Sequence, residues 1–187
     1  GILLALHTWG RSLSLHPHIH ALVTDGGWSE ARGWANPRRR GFLPHTVVMM
    51  LFRGKLLWAI RRLHETGQLR LPDQMSPERL RTLLNRSGRK RWNVRLCTRY
   101  AHGEGVSLYL ARYVKGGALS NQQIVRANEH EVVFSYSAHG EEGEPGRRMT
   151  MQLSPQAFLS RVLMHAPERG LHTVRYYGLY APACREA

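Results

Sequence analysis

Two apolar segments separated by a short polar connection open the chain, and they restrict its fold more than any other feature. Residues 2–9, "ILLALHTW", are typical of a buried strand, and residues 18–28, "HIHALVTDGGW", of a second strand ending in a Gly-Gly turn. Consecutive strands joined by a short connection usually pair. We therefore predict an antiparallel hairpin that brings His7 close to His18 and His20.

Residues 44–88 are predicted to form two helices. The first has four apolar residues near helical spacing: Val47, Leu51, Leu57 and Ile60. It stops at Gly67, and the second has Ser76 as its N-cap and ends before Gly88. These two helices are predicted to form a basic insertion within a larger domain.

Strands and helices continue to alternate along the remaining sequence. We predict a strand at 89–100, a helix of about three turns at 102–117, paired strands at 128–138 and 147–153, a capped helix at 154–166 and a last strand at 172–181. Strand pairs interrupted by helices indicate an α+β fold with a central antiparallel sheet and flanking helices.

The charge of the chain is concentrated in its first half. The whole sequence has 27 Lys and Arg against 13 Asp and Glu, a net charge of +14. Residues 1–100 hold 18 of these cations and five of the anions. Such a patch favours a polyanionic partner, most simply nucleic acid, although a GC-rich genome also raises arginine content. Two basic runs are candidates for phosphate contacts, with solvated loop charges as the alternative: Arg38, Arg39, Arg40, Arg89, Lys90 and Arg91.

Composition excludes several other classes of protein. The two cysteines, Cys97 and Cys184, form no CxxC pair, which excludes a zinc ribbon within this chain and favours a reducing cytoplasm. No apolar run approaches the roughly 18–20 residues of a membrane span. The sequence starts with Gly1 and goes directly into an apolar segment. We therefore expect residues 1–187 to be one domain cut from a longer protein.

The histidines of "LHPHIHALV" are candidate metal ligands. Residues two apart in a strand face the same way, so His18 and His20 can converge on one ion while Ile19 points into the core. The alternative is a polar strand face without a ligand. The first choice for the third ligand is His7, which the predicted hairpin brings across from the pair, and the alternatives are His16 on the same strand and Glu104. The expected ion is magnesium or manganese.

Two tyrosines in "YLARY" are candidate nucleophiles. Tyr109 and Tyr113 are four residues apart and share one face of the predicted helix. The flanking cations Arg112 and Lys115 are further candidates for phosphate contacts. A tyrosine hydroxyl has an unperturbed pKa of about 10, so it needs a metal or a base to attack a phosphate at neutral pH. The alternative is that both tyrosines are core residues of a nucleic-acid-binding domain without catalysis.

Together these segments resemble a known family. "LHTWG", "HPHIHALV", "FRGK", "YLARYVKGGALSN" and "VRYYGLYA" are similar to the two-tyrosine rolling-circle transposases of the HUH (histidine–hydrophobe–histidine) endonuclease superfamily, of the insertion-sequence ninety-one type. The resemblance runs from His7 to Tyr180.

The resemblance implies a function for each motif. His18 and His20 match the metal-binding pair, and Tyr109 and Tyr113 match the two nucleophiles, which face the histidine strand from a helix. The implied activity is metal-assisted cutting and rejoining of single-stranded DNA through a 5′-phosphotyrosine. The family also implies a cysteine-rich zinc domain at its amino terminus, which this sequence lacks.

Overall fold

The computed structural model describes residues 1–37, 43–97, 100, 103–114, 117–138 and 146–184, without the side chains of Arg112 and Tyr113. In chain order the elements are β1 (Ile2–Trp9), β2 (Leu15–Val23), β3 (Gly27–Ser29), β4 (Gly33–Ala35), α1 (His45–Glu65), α2 (Pro77–Arg89), α3 (Gly103–Tyr113), β5 (Ile124–Ala127), β6 (Val132–Ser137), β7 (Arg148–Leu153), α4 (Pro155–Leu163) and β8 (Val174–Tyr177). The paired strands described below are antiparallel, which confirms the predicted α+β class.

The chain divides into two compact units. The first contains Gly1–Glu30 and Tyr100–Ala187, and the second contains Ala31–Arg99. None of the helices in the described residues is both long and apolar enough to cross a membrane.

The first unit contains two three-stranded sheets, with the orders β2-β1-β8 and β5-β6-β7. The predicted hairpin is confirmed, because β1 and β2 pair with Ala5 opposite His20 and His7 opposite His18. The predicted pairing of the strands near 128–138 and 147–153 is confirmed by β6 and β7. Ser154 caps α4 by accepting a hydrogen bond from the Ala157 N–H, as its sequence predicts.

The turn between β1 and β2 has a strained residue at its centre. Leu13 is fully buried and has a φ of 59°, which is uncommon for a residue with a side chain. The Gly10 N–H donates to the Ser14 carbonyl across the turn at 2.8 Å, and Nε2 of His165 donates to the Leu13 carbonyl at 3.1 Å. Burial of the leucine side chain and these hydrogen bonds offset the strain.

The register of the hairpin shifts next to the turn. Trp9 pairs with Leu15, so β2 holds one residue more than β1 between this pair and the pair of His7 with His18. Pro17 lies in the shifted segment, where its missing N–H does not interrupt a regular ladder.

The second unit is built on α1 and α2. Leu57 of α1 packs with Leu80 and Leu84, which lie one turn apart on α2, and Trp92 adds to this core. The predicted end of α1 is confirmed, since the helix is followed by Gly67 with a φ of 69°. Helix α2 was predicted to end before Gly88, but it continues to Arg89, and a Cβ atom at Gly88 would lie 3.5 Å from Cδ1 of Leu57.

The strand predicted at 89–100 is wrong. Residues 91–97 form no regular strand, since they find no strand partner among the described residues, and the Trp92 Nε1–H donates to the Ser87 carbonyl instead. The helix predicted from Val47, Leu51, Leu57 and Ile60 is confirmed by α1, in which Val47 and Leu51 are exposed and Leu57 makes the core contact.

Candidate metal and tyrosine site

Three histidines converge on the hairpin of the first unit. The ligand nitrogens of His7, His18 and His20 lie within 4.8 Å of one another. Their ring centroids are 4.8 Å apart for His7 and His20, 4.9 Å for His18 and His20, and 5.5 Å for His7 and His18. The strand register explains this convergence, because cross-strand partners share one face and the small Ala5 stands opposite His20.

The structure therefore places His7 with the pair on β2. Among the described residues, the cluster able to hold a metal ion contains neither of the other two candidates, His16 and Glu104. His16 instead lies in the segment of β2 where the register shifts, with an exposed side chain.

In β2 the polar side chains are half-buried and the apolar Ile19 is exposed, which is the reverse of an ordinary half-buried strand. His18 and His20 are half-buried, whereas Ile19 is 44% exposed, so the prediction that Ile19 points into the core is wrong. The histidine face of β2 is shared with the buried face of β1, which contains Leu3, Ala5 and His7. Placing imidazoles on a buried face is unfavourable unless they have polar partners or a ligand.

The protonation states of the cluster suit metal binding. Nδ1 of His18 donates to the His16 carbonyl at 2.7 Å, which leaves the lone pair on Nε2. Burial, followed by the positive charges that His7 and His18 would carry, lowers the pKa of His20 to about 4. His20 is therefore neutral at pH 7, the form in which imidazole binds a metal.

Aromatic and polar groups support the cluster from the strand end. The Trp9 ring stacks on His7 with centroids 4.3 Å apart and planes 17° from parallel, and it lies 6.2 Å from the ring of His165. His165 is buried and accepts a hydrogen bond at Nδ1 from the Thr8 hydroxyl at 3.1 Å. Trp9 and His165 were not among the residues predicted for the site, although the two-residue spacing of His7 and Trp9 already places them on one strand face.

Helix α3 places the first candidate nucleophile beside the histidines. The Tyr109 ring centroid lies 6.2 Å from that of His20. Tyr113 is the last residue of α3, four residues further along, and its side chain lies outside the described residues.

Tyr100 is a further aromatic neighbour that the sequence analysis did not select. Its ring lies 6.1 Å from that of Tyr109. A Cβ atom at Gly105 would stand 2.5 Å from Cδ1 of Tyr100, so the ring occupies space that only a glycine leaves open. The sequence offers one signal for such a neighbour. The four-residue spacing of Gly105 and Tyr109 places both on one face of α3, where the glycine leaves space for another ring beside Tyr109.

The predicted phosphate-binding residues are described only in part. Arg38, Arg39, Arg40 and Lys115, together with the Arg112 side chain, lie outside the described residues. Arg89, Lys90 and Arg91 are exposed in the second unit, at the end of α2. The Arg53 guanidinium donates to the Lys90 carbonyl at 2.6 Å and thereby ties this basic run to α1.

A shallow cavity of about 240 Å³ adjoins this basic run. Its lining residues are His45, Arg91, Trp92 and Asn93. His45 is held by a hydrogen bond to the Val94 carbonyl.

Comparisons with known proteins identify relatives of the whole chain. A family model described as "Putative transposase" (Y2_Tnp) matches residues 1–187. "Putative transposase y4qJ" of Sinorhizobium fredii (strain NBRC 101917 / NGR234) is 31% identical over 198 residues, covering 100% of this chain and 47% of that protein. The transposase for insertion sequence element IS801 of Pseudomonas savastanoi pv. phaseolicola is 30% identical over 186 residues, covering 97% of this chain and 43% of that protein.

The chain thus spans less than half the length of these two curated relatives. No solved structure matches it significantly. The family model covers every residue of the sequence, including the histidines of β1 and β2 and the tyrosines of α3. The chain belongs to the Y2_Tnp family of transposases.

Proposed function

We propose that residues 1–187 are the catalytic domain of a rolling-circle transposase of the HUH endonuclease type, which cuts and rejoins single-stranded DNA. The observation that carries the proposal is the convergence of His7, His18 and His20 with the Tyr109 ring 6.2 Å from His20. The family match supports a DNA substrate. In this proposal the helices of 44–88 belong to an insertion in the catalytic domain.

We assign His7, His18 and His20 as the ligands of a divalent metal ion. Three neutral imidazoles fit manganese better than magnesium, which prefers oxygen ligands. When bound, such an ion withdraws electron density from a phosphate oxygen and makes the phosphorus more electrophilic. The hydrogen bond from His18 to the His16 carbonyl and the stacking of His7 on Trp9 hold two of the three rings in place.

Tyr109 is the nucleophile that lies nearest to this cluster within the described residues. Its phenolic oxygen forms a bond to phosphorus, the bond from phosphorus to the 3′ oxygen breaks, and the phenolic proton is lost to solvent. The 3′ oxygen takes up a proton and leaves as a hydroxyl. One phosphoester replaces another, so rejoining requires no nucleotide hydrolysis.

Tyr113 is proposed as the second nucleophile, one helical turn further along α3. Two tyrosines allow the enzyme to hold one strand end covalently while it cuts another strand. The basic residues Arg38, Arg39, Arg40, Arg89, Lys90, Arg91, Arg112 and Lys115 are proposed to contact the DNA phosphates. The site of action would be the bacterial nucleoid.

Trapping of the covalent adduct tests the proposal. The chain is incubated with a labelled single-stranded oligonucleotide and manganese, and adducts that survive denaturation are mapped to a tyrosine. We expect adducts with the wild type, none after chelation of the metal, and none with the Tyr109→Phe/Tyr113→Phe double variant. Tyr177→Phe, at an exposed tyrosine of β8, is the matched control and keeps the adduct.

Two results would contradict the proposal. A double variant that still cuts DNA would show that another group attacks the phosphorus. A wild type that binds the oligonucleotide but never forms an adduct would indicate the alternative, a nucleic-acid-binding domain without catalysis.

A further inference from the structure

Helix α1 presents an exposed aromatic and basic face that the core of its unit does not explain. Leu57 faces the core, whereas Trp58, about 100° further around the helix, is 65% exposed. Lys55 and Arg62 precede and follow Trp58 by three and four residues, so they lie on the same face, and both are exposed. An exposed indole between two cations has the composition of a site for an anionic ligand with a planar ring.

Gly54 adds an independent observation in the middle of the same helix. Glycine weakens a helix interior relative to alanine. A Cβ atom at Gly54 would meet nothing within 4 Å, so packing gives no reason for this glycine, in contrast to Gly88, which lies against Leu57. Helical side chains lean toward the N-terminus, so Trp58 covers the turn that contains Gly54. The missing side chain therefore leaves the approach to the indole open.

The charge of the unit identifies the class of ligand. Residues 31–99 hold 17 Lys and Arg against three Asp and Glu, which gives +14, while the rest of the chain has ten of each. The unit that contains α1 thus holds the whole net charge of the protein. Glu65, one turn beyond Arg62, is the acidic residue on this face. The excess of positive over negative residues favours a polyanion, and not an apolar protein surface, as the ligand of this face.

We propose that Lys55, Trp58 and Arg62 form a binding site for single-stranded DNA on the exposed face of α1. The indole stacks on one unpaired base, the two cations contact the phosphates on either side, and Gly54 allows the base to approach the helix closely. Bases within a duplex are already stacked and do not fit this site. The inference rests on the proposed function for the choice of DNA as the nucleic acid.

Fluorescence anisotropy with a labelled oligothymidylate tests this site in the whole chain, with chelator present so that no cutting occurs. We expect Trp58→Ala to weaken binding by at least about fivefold and Trp58→Phe to restore most of the affinity. Gly54→Ala should also weaken binding while raising Tm by about 2–4 °C, since alanine favours the helix. If Gly54→Ala raises Tm while it weakens binding, the loss of affinity cannot come from a less stable fold, and Gly54 has a role in binding.

Leu51→Ala is the matched control, because Leu51 is 56% exposed on the same face two turns before Trp58. We expect it to bind the oligonucleotide as the wild type does. The proposal is overturned if Trp58→Ala or Gly54→Ala keeps wild-type affinity, or if Leu51→Ala weakens binding as much as Trp58→Ala. Equal losses of affinity for a duplex of the same length would also overturn it.

The same variants separate this inference from the proposed function. If Trp58→Ala and Gly54→Ala weaken binding but the wild type never forms a covalent adduct, the α1 site stands and the catalytic proposal fails. If adducts form while both variants bind as tightly as the wild type, the catalytic proposal stands and the α1 site fails.

Discussion

His7 is the residue that completes the candidate metal site and the one whose position is most restricted. It is 7% exposed, stacks on Trp9 and stands directly opposite His18 in the hairpin. Its ring is therefore held in place by packing before any ligand is present. A ligand that is already positioned loses less conformational entropy when the metal binds, which increases metal affinity.

Metal affinity should depend on these three histidines and not on their neighbour. We expect His7→Ala, His18→Ala and His20→Ala each to weaken manganese binding by more than about tenfold in calorimetry. His16→Ala is the matched control, because His16 lies outside the cluster and the substitution retains its main-chain carbonyl, the group that accepts from His18. If His16→Ala weakens binding as much as His18→Ala, or if the three substitutions have no effect, the ligand assignment is wrong.

The low pKa of His20 predicts how the stability of the metal-free chain varies with pH. Burial and then the neighbouring His7 and His18 lower the pKa of His20 from 6.5 to about 4. Between these values the unfolded chain binds a proton that the folded chain does not, so the free energy of unfolding falls as pH decreases from 6.5 to 4. We expect a loss of about 1–2 kcal/mol, since solvent partly screens the ring.

Urea unfolding in the presence of a chelator measures this loss. Comparison with His20→Gln isolates the contribution of the one group, because this variant should lack that part of the pH dependence. Equal slopes for the wild type and His20→Gln between pH 4 and 6.5 would contradict the assignment.

At the scale of secondary structure, α3 is the element that adds a candidate nucleophile to the candidate metal site. It presents Tyr109 to His20 and contacts Tyr100 through its first turns. Gly105 and Tyr109 share a face, and the Tyr100 ring occupies the space beside Gly105. Tyr100 thus limits where the Tyr109 ring can move, as a positioning residue.

A methyl group at position 105 should disturb this arrangement. Gly105→Ala would place Cβ 2.5 Å from Cδ1 of Tyr100 and force the ring away from Tyr109. We expect slower adduct formation at Tyr109, measured in single-turnover experiments, although alanine favours the helix. Gly103→Ala is the control, since a Cβ atom there meets nothing within 4 Å. Equal rates for the two variants would refute a positioning role for Tyr100.

At the scale of the whole molecule, the candidate chemistry and the charge lie in different units. The histidines and Tyr109 belong to the first unit, whose sequence has equal numbers of cations and anions. The second unit holds the net charge of +14. We therefore expect that the proposed attraction of a polyanion and the proposed reaction at the histidine cluster can be changed by separate substitutions.

The salt dependence of DNA binding checks this separation of roles. Replacing Arg89, Lys90 and Arg91 by glutamine should reduce the slope of log affinity against log salt by about 2, since each phosphate contact to a single strand contributes about 0.7. Arg169→Gln/Arg175→Gln, at exposed arginines of the first unit, should leave the slope nearly unchanged. Similar slopes for both variants would show that phosphate contacts are spread over the chain.

Much of the fold was predictable because its signals are local. The alternation of apolar residues, the Ser76 and Ser154 caps and the glycine at position 67 identified a hairpin and three helix boundaries from neighbouring residues alone. The strand predicted at 89–100 failed because a strand requires a partner, and Trp92 packs against helices instead. Helical spacing predicts α1 but does not tell which of its apolar faces the core covers, and Val47 and Leu51 lie on an exposed face.

The sequence by itself determined which residues are candidate ligands and nucleophiles, since the spacing and chemistry of His18, His20, Tyr109 and Tyr113 select them. Only the tertiary structure decided that His7 joins the pair, because this depends on the strand register across the turn at Leu13. It also decided that Ile19 is exposed and that the net charge lies in a single unit. Periodicity groups residues on a face, but the direction of that face is set by contacts with segments distant in the chain.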